Sequence, residues 1–284
     1  MKRIFTLLLM AVFLAVCSVT SSAAVLDVVV NSTCMDKPVK VKILLPDSYE
    51  TSPNRRFPVM YLLHGAGGNQ NDWIARSGAV KEYVNRYDFI VVCPDGKMSW
   101  YYDSPVDPKI KYETFCSQEL IKWVDAKFRT IDDRRARAFC GLSMGGHGAL
   151  WLAIRHKEKI GTGIALSGGV DVRKFPKNWN LPNLLGKYEE NKEVWDKHMV
   201  ITEAASLKNG ELAIAIDCGV NDFFSQANRD LHELLLKNKV AHDYQERPGG
   251  QTWEYWNRVF PYASVFFRSQ FRPVVVELMK QNMR

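Results

Sequence analysis

The sequence predicts an α/β fold with a mostly parallel central sheet, helices on both faces and a small insertion. Short apolar segments of strand length alternate along the chain with segments of helix length. One glycine-rich turn joins a buried strand directly to an apolar helix. The chain has 284 residues, 46% of them hydrophobic, which is enough for one large core. Strands that alternate with helices form a parallel sheet that is covered on both sides.

The first half of the chain supplies the sheet edge and two central strands. Two apolar or alternating segments flank Asp36-Lys37-Pro38, which predicts a hairpin at the edge of the sheet. The predicted elements are strands at 26–30, 39–45, 59–63 and 89–93 and a helix over 114–129.

The second half continues the alternation and contains the insertion. The predicted elements are strands at 136–140, 163–167, 212–216 and 244–247 and helices over 147–156, 231–236 and 253–268. Residues 171–209 are rich in Trp, Lys, Asn and Glu and have weak periodicity. We expect this segment to lie over one face of the sheet.

The glycine-rich turn is Gly141-Leu142-Ser143-Met144-Gly145-Gly146. G-x-S-x-G between a strand and a helix is typical of a serine nucleophile on a sharp, strained turn. Glycines flank such a serine because side chains there would collide with neighbouring elements. The N–H groups at the start of the helix favour anionic charge near the serine. The alternative is an ordinary strand–turn–helix junction.

Residues 1–24 have the pattern of a secretory signal peptide. A basic start is followed by the apolar run Ile4 to Val16 and by small residues at Ser21-Ser22-Ala23-Ala24. We therefore expect a secreted or periplasmic protein whose folded domain is 25–284. A lipoprotein anchored through Cys17 is the less favoured alternative, because Val16 is bulky where a lipidation signal has a small residue. Nothing after residue 24 predicts a membrane span.

Charge and cysteine content exclude several classes of protein. The formal charge of +7 comes from scattered basic residues without interleaved aromatics, so no nucleic-acid partner is predicted. Five of six cysteines follow the signal segment, so at least one thiol is unpaired and at most two bridges form. We expect Cys93, Cys140 and Cys218 to be buried small hydrophobes. No spacing indicates a metal site.

Polar and glycine-rich segments follow four of the predicted strands. They are His64–Asn69, Ser143, Asp222 and Gly249–Trp253. The carboxyl ends of parallel strands meet at one edge, where binding and catalytic groups gather. Their chain order places a serine before an acid, as in α/β-hydrolases, in which a histidine comes last.

The chain resembles the esterase D family of α/β-hydrolases over about residues 26–268. That family includes S-formylglutathione hydrolases, tributyrin-type esterases, and feruloyl and acetyl-xylan esterases. The matching segments are Tyr61-Leu62-Leu63-His64-Gly65, Asn71-Asp72-Trp73, Pro94-Asp95-Gly96, Ser99-Trp100-Tyr101, Gly141 to Gly146, Ser167-Gly168-Gly169, Gly219 to Phe223 and Gly249 to Trp253. The resemblance implies an α/β-hydrolase fold and serine esterase chemistry without a cofactor.

The resemblance also implies roles for individual residues. Ser143 matches the nucleophile and Asp222 the orienting acid, with Asp217 as the less favoured alternative. The backbone N–H groups of Ala66 and Met144 match the oxyanion hole, in which each donor contributes ~3 kcal/mol to transition-state stabilisation. We expect His64 to be structural.

Gln251 departs from the family pattern Gly-Gly-His-x-Trp, in which the histidine is the general base. An amide can accept a hydrogen bond from a serine but cannot take its proton. Three interpretations follow: an esterase with weakened hydrolysis or an unrecognised replacement base, an inactive relative that binds acylated sugar or another ester, or an introduced substitution. Among other histidines, His147 is a minor candidate base and His198 is the least excluded of the rest.

The substrate prediction rests on aromatic residues. Trp100 and Tyr101, in a predicted loop, are the favoured substrate contacts. The other aromatic candidates for lining a cleft are Tyr102, Trp179, Trp195, Trp253 and Trp256. An aromatic cleft in a secreted esterase suggests short-chain acyl, acetyl or feruloyl esters, on polysaccharide or small molecules. The oligomeric state is not predicted.

Overall fold

The computed structural model describes residues 24–282, so the predicted signal segment and Cys17 lie outside the described residues. The strands within this range are β1 (Val25–Ser32), β2 (Lys37–Leu44), β3 (Val59–Leu63), β4 (Ile90–Pro94), β5 (Arg137–Leu142), β6 (Thr162–Leu166), β7 (Ala213–Gly219) and β8 (Asp243–Arg247). They form one sheet in the order β1-β2-β4-β3-β5-β6-β7-β8.

The sheet is mostly parallel, as predicted. β1 and β2 form the expected antiparallel hairpin at one edge, and β2 also pairs antiparallel with β4. All pairs from β4 through β8 are parallel. The carboxyl ends of six strands therefore lie at one edge of the sheet, which positions the loops that follow them beside one another.

The helices connect the strands and cover both faces. They are α1 (Ser48–Thr51), α2 (Asp72–Arg76), α3 (Gly78–Tyr87), α4 (Tyr112–Thr114), α5 (Ile121–Lys127), α6 (Met144–Arg155), α7 (Leu181–Leu185), α8 (Lys192–Lys197), α9 (Val200–Ala204), α10 (Ser225–Lys237) and α11 (Trp253–Asn282). A π-helical segment, Phe115–Leu120, joins α4 to α5, and a 3₁₀ turn, Arg134–Ala136, precedes β5. The predicted insertion contains α7, α8 and α9.

The apolar core forms two layers, one on each face of the sheet. In β3, Val59, Tyr61 and Leu63 belong to the layer that includes α6 and α10, whereas Met60 and Leu62 belong to the layer that includes α3 and α11. Successive side chains of a strand point to opposite faces, so a strand covered on both sides needs a continuous apolar run. This is why β3, β4 and β5 are buried at every position.

Two helical regions differ from the sequence prediction. α2 and α3 were not predicted, and α11 extends to Asn282 rather than ending at 268. α11 continues past Pro261 and Pro273. Phe271 and Val274, beyond the predicted end, are 4% and 3% exposed in the α11 layer. Burial of this apolar face outweighs the helix-breaking tendency of proline.

The five cysteines of the described range are free thiols. Cys93, Cys140 and Cys218 are buried, as predicted, and Cys116 is buried as well. Between residues 24 and 282, no helix combines the length and apolar character that a membrane crossing requires.

Candidate active site

Ser143 lies on a strained turn between β5 and α6. Its φ and ψ angles are 56° and −117°, a conformation that costs a non-glycine residue ~1–3 kcal/mol. Three backbone hydrogen bonds hold this turn. The Ser143 N–H donates to Leu166 O at 3.0 Å, and Ser143 O accepts from the N–H groups of His147 and Gly169. This conformation, held by those hydrogen bonds, places the Ser143 side chain at the carboxyl end of the sheet and at the N-terminus of α6.

Close backbone packing explains the flanking glycines. A Cβ at Gly145 would collide with the carbonyl of Leu63, and a Cβ at Gly141 would collide with the backbone of Gly145. Both residues must lack a side chain because the turn, the start of α6 and the end of β3 occupy the same small volume.

Gln251 joins the side chains of Ser143 and Asp222. Its Oε1 accepts a hydrogen bond from the Ser143 hydroxyl at 2.7 Å, and its Nε2 donates to both carboxylate oxygens of Asp222, at 3.2 Å to Oδ1. The reverse amide orientation would place Oε1 against the Asp222 carboxylate, where two acceptors repel each other. The chain Ser143–Gln251–Asp222 therefore connects loops that follow β5, β7 and β8.

Asp222 is the carboxylate that this arrangement uses. Burial raises the pKa of Asp222 above its ordinary value, and the N–H of Phe224, which donates to Oδ1 at 2.8 Å, opposes that shift. Asp217 lies within β7, where Tyr255 donates to its Oδ1 at 2.5 Å and Arg247 pairs with its Oδ2. The Asp217 carboxylate is thus engaged elsewhere, which supports the choice of Asp222.

The turn that carries Ala66 lies directly beside Ser143. A Cβ placed on Gly65 would lie 3.4 Å from Ser143 Cβ and 2.6 Å from Leu142 Cδ1. Met144 begins α6, so its N–H is among those without a partner inside the helix. Ala66 lines the same cleft as Ser143, and Met144 follows Ser143 directly; their role as an oxyanion hole stays a prediction.

A cleft of about 410 Å³ opens over Ser143. Trp179 and Phe223 line it as a stacked pair, with ring centroids 5.8 Å apart and an interplanar angle of 19°. Trp253 and Trp256 line it as a perpendicular pair, with centroids 5.4 Å apart. Trp179 comes from the insertion, so that segment contributes to the cleft.

Two charged side chains also line the cleft. Asp72 and Arg76 lie one helical turn apart on α2, at the rim of the cleft that contains Ser143 and Gln251. Between residues 24 and 282, no three His, Cys, Asp or Glu side chains gather into a group that could hold a metal ion. The arrangement can therefore supply a hydroxyl nucleophile, backbone donors, aromatic surfaces and two charges.

Sequence comparison places the chain in a family. A model of the Esterase family matches residues 32–267, which is most of the chain. The chain belongs to the Esterase family. The acetyl esterase of Caldicellulosiruptor saccharolyticus is 31% identical over 214 residues, covering 70% of this chain and 79% of that protein.

Solved structures agree with this family membership. A ferulic acid esterase superposes with a TM-score of 0.76 at 26% identity, covering 88% of this chain and all of that one (100%). The S-formylglutathione hydrolase of Staphylococcus aureus superposes with a TM-score of 0.75 at 20% identity, covering 87% and 100% of the two chains. The family and the α/β-hydrolase fold expected from the sequence are thereby confirmed.

The prediction that Trp100 and Tyr101 contact substrate in this esterase is wrong. Their side chains are 1% and 0% exposed. Trp100 Nε1 donates to Trp179 O at 3.1 Å, and the Tyr101 hydroxyl donates to His64 O at 3.2 Å. Both residues have positive φ angles, which turn their rings into the core beneath the cleft. A loop position in the sequence does not reveal the direction of such a turn.

All six histidines of the esterase lie in the described range, and none lines the cleft. His64 is structural: the Gly96 N–H donates to its Nε2 at 2.9 Å, and its Nδ1 lies 2.8 Å from Gly65 O. His147 is fully buried among aromatic rings, and burial lowers its pKa to about 3. His198 packs its ring against Trp151. No described histidine hydrogen-bonds the Ser143 hydroxyl, which is paired with Gln251.

Sequence reasoning missed Phe223 and Arg76 as cleft residues. Phe223 follows Asp222 directly in the segment after β7, and this position could have indicated that Phe223 lies at the cleft. Arg76 carried no signal, because α2 itself was not predicted.

Proposed function

We propose that the chain is an exported serine esterase that cleaves carboxylic esters through a Ser143 acyl-enzyme, and that Gln251 makes its turnover slow. Residues 1–24 act as the signal peptide and residues 25–284 as the esterase domain. The hydrogen-bonded chain Ser143–Gln251–Asp222 supports the site assignment. Membership in the Esterase family supports the reaction class.

In the proposed acylation step, Ser143 Oγ attacks the ester carbonyl carbon. The N–H groups of Ala66 and Met144 stabilise the oxyanion, and the C–O bond to the alcohol breaks. The serine proton must leave with solvent or the departing alcohol, because the amide oxygen of Gln251 cannot take it at neutral pH. Loss of the base in a comparable triad lowers turnover on the order of a millionfold, with residual catalysis from the oxyanion hole.

The proposed substrates are acetyl or feruloyl esters and other short acyl esters, including those on polysaccharide. The names of the acetyl esterase and ferulic acid esterase relatives support this class. The pair Trp179–Phe223, in which Phe223 is 50% exposed, offers an apolar aromatic surface that suits an aryl acyl group or the apolar face of a sugar.

An inactive ester-binding protein is the second candidate. The observation that favours it is the amide of Gln251, which keeps Ser143 and Asp222 hydrogen-bonded while removing proton transfer. Such a site would bind acylated carbohydrate or another ester and release it unchanged.

Restoring the base distinguishes these functions. We expect Gln251→His to increase hydrolysis of 4-nitrophenyl acetate by at least a thousandfold, because imidazole can take and return the serine proton. The double variant Ser143→Ala, Gln251→His is the matched control and should lose that gain. Equal rates for the native chain and Gln251→His would show that the base lies elsewhere. No hydrolysis by either, with retained binding of acetylated or feruloylated oligosaccharide, would establish the binding protein.

A further inference from the structure

Arg76 is an exposed cation at the edge of the cleft that contains Ser143. It is the last residue of α2, and its guanidinium lies 4.7 Å from the centre of the Trp253 ring. Its backbone is also held, since Asn257 Nδ2 donates to Arg76 O at 3.0 Å. Trp253 is itself fixed, because it packs edge-on against Trp73 and Trp256. The charge therefore has a defined place at the rim of the cleft that Ser143 also lines.

The guanidinium of Arg76 has no ion-pair partner: among residues 24–282, no carboxylate oxygen lies within 4.0 Å of it. Asp72 is the other charged residue of the cleft, and its carboxylate packs against Gly68 in the turn that carries Ala66. Stacking on Trp253 uses one face of the guanidinium and leaves its N–H donors available at the edge. A planar fork of donors matches a carboxylate through two parallel hydrogen bonds.

We propose that Arg76 is a specificity residue that selects esters carrying a carboxylate near the scissile bond. The carboxylate belongs either to the acyl part, as in a dicarboxylic half-ester, or to the alcohol part, as in an acylated uronic acid. This proposal rests on the proposed ester site at Ser143 and goes beyond it, because acetyl and feruloyl groups carry no charge when esterified.

Paired substrates that differ in one charge test the proposal in the Gln251→His background. The acyl pair is the 4-nitrophenyl half-ester of succinic acid and 4-nitrophenyl butyrate. The alcohol pair is an acetylated methyl glucuronoside and the corresponding acetylated methyl glucoside. The measurement is the ratio of kcat/KM for the charged to the neutral member, and the pair with the larger ratio identifies where the carboxylate lies.

Arg76→Gln should lower the ratio for that pair roughly tenfold, the order expected for loss of a charge-assisted hydrogen bond at a partly open site. Arg76→Lys should recover part of this ratio. Asp72→Asn should raise the ratio, because it removes a negative charge that repels the substrate carboxylate. Arg268→Gln is the matched control and should leave the ratio unchanged, since Arg268 is also exposed and stacks on Tyr87 outside the cleft. A ratio unchanged in Arg76→Gln for both pairs would overturn the proposal.

Direct binding separates this proposal from the proposed esterase activity. If Gln251→His hydrolyses none of the four esters, the esterase proposal fails, and calorimetry with methyl glucuronoside, methyl glucoside and succinate on the native chain decides the role of Arg76. Binding of a carboxylate probe that Arg76→Gln abolishes supports the proposal. The proposal is refuted if neither succinate nor methyl glucuronoside shows binding that Arg76→Gln weakens.

Discussion

Gln251 reproduces the hydrogen bonds of a neutral imidazole without its basicity. Its acceptor faces Ser143 and its donor faces Asp222, so the geometry of a triad persists although the proton acceptor is absent. In the proposed mechanism this separates binding from turnover. Burial raises the pKa of Asp222. In Gln251→His, the imidazole would become cationic during catalysis and would stabilise the charged form of Asp222.

At the same scale, Gly145 tests the close packing that supports the Ser143 turn. We expect Gly145→Ala to lower the free energy of unfolding by about 1–3 kcal/mol, because the new methyl group must displace the carbonyl of Leu63. Urea unfolding followed by tryptophan fluorescence measures this change. Gly78→Ala is the control, since a Cβ at Gly78 has no atom within 4 Å; equal destabilisation by both substitutions would contradict the packing argument.

The longest helix, α11, connects the active site to the core at the scale of elements. It begins at Trp253, beside Gln251, and its buried face includes Phe267, Phe271 and Val274. The sheet and α3 pack against this face, so α11 anchors the loop that carries Gln251.

We expect Phe267→Ala to lower the free energy of unfolding by about 3–5 kcal/mol, the usual cost of deleting a fully buried phenyl ring. Phe267 is 0% exposed and packs edge-on against Phe89. Val265→Ala on the opposite side of α11 is the control, because Val265 is 50% exposed and should change stability little. Unfolding by guanidinium measures both. A loss below 1 kcal/mol for Phe267→Ala would mean that α11 does not support the core.

At the scale of the whole molecule, Glu113 links α4 to α6. Its carboxylate, 8% exposed as a residue, accepts hydrogen bonds from Trp151 Nε1 at 2.9 Å and Arg155 Nε at 2.8 Å, and His156 Nε2 lies 3.0 Å away. Burial raises the pKa of Glu113, but the hydrogen bonds from His156 and Arg155 outweigh it and hold this pKa below its ordinary value of 4.5. Because the folded-state pKa is depressed, the stabilisation is complete above pH 4.5 and is lost as the pH falls through the folded-state pKa.

Glu113→Gln should therefore reduce the urea midpoint at pH 6, and the difference from the native chain should shrink toward pH 3. Urea unfolding at both pH values measures this dependence. Glu50→Gln is the control, because Glu50 is exposed on α1 and should leave both midpoints unchanged. A difference for Glu113→Gln that stays constant between pH 6 and pH 3 would show that the network contributes no pH dependence.

The sequence by itself determined the architecture and the segments that carry the candidate site residues. Alternating apolar segments specify a covered parallel sheet because each strand must bury both faces. Glycines flank Ser143 because a Cβ at Gly141 or Gly145 would collide with neighbouring backbone. The family resemblance singled out Asp222 and Gln251 within the segments that follow the predicted strands.

The tertiary structure decided which side chains face the cleft. Trp100 and Tyr101 are adjacent to family motifs, yet their backbone turns them into the core, whereas Trp179 reaches the cleft from a segment without clear periodicity. Arg76 stands beside Trp253 only because α2 and α11 pack together across 177 positions of sequence. Local pattern cannot report such contacts, since the direction of a loop and the pairing of distant helices depend on packing among residues far apart in the chain.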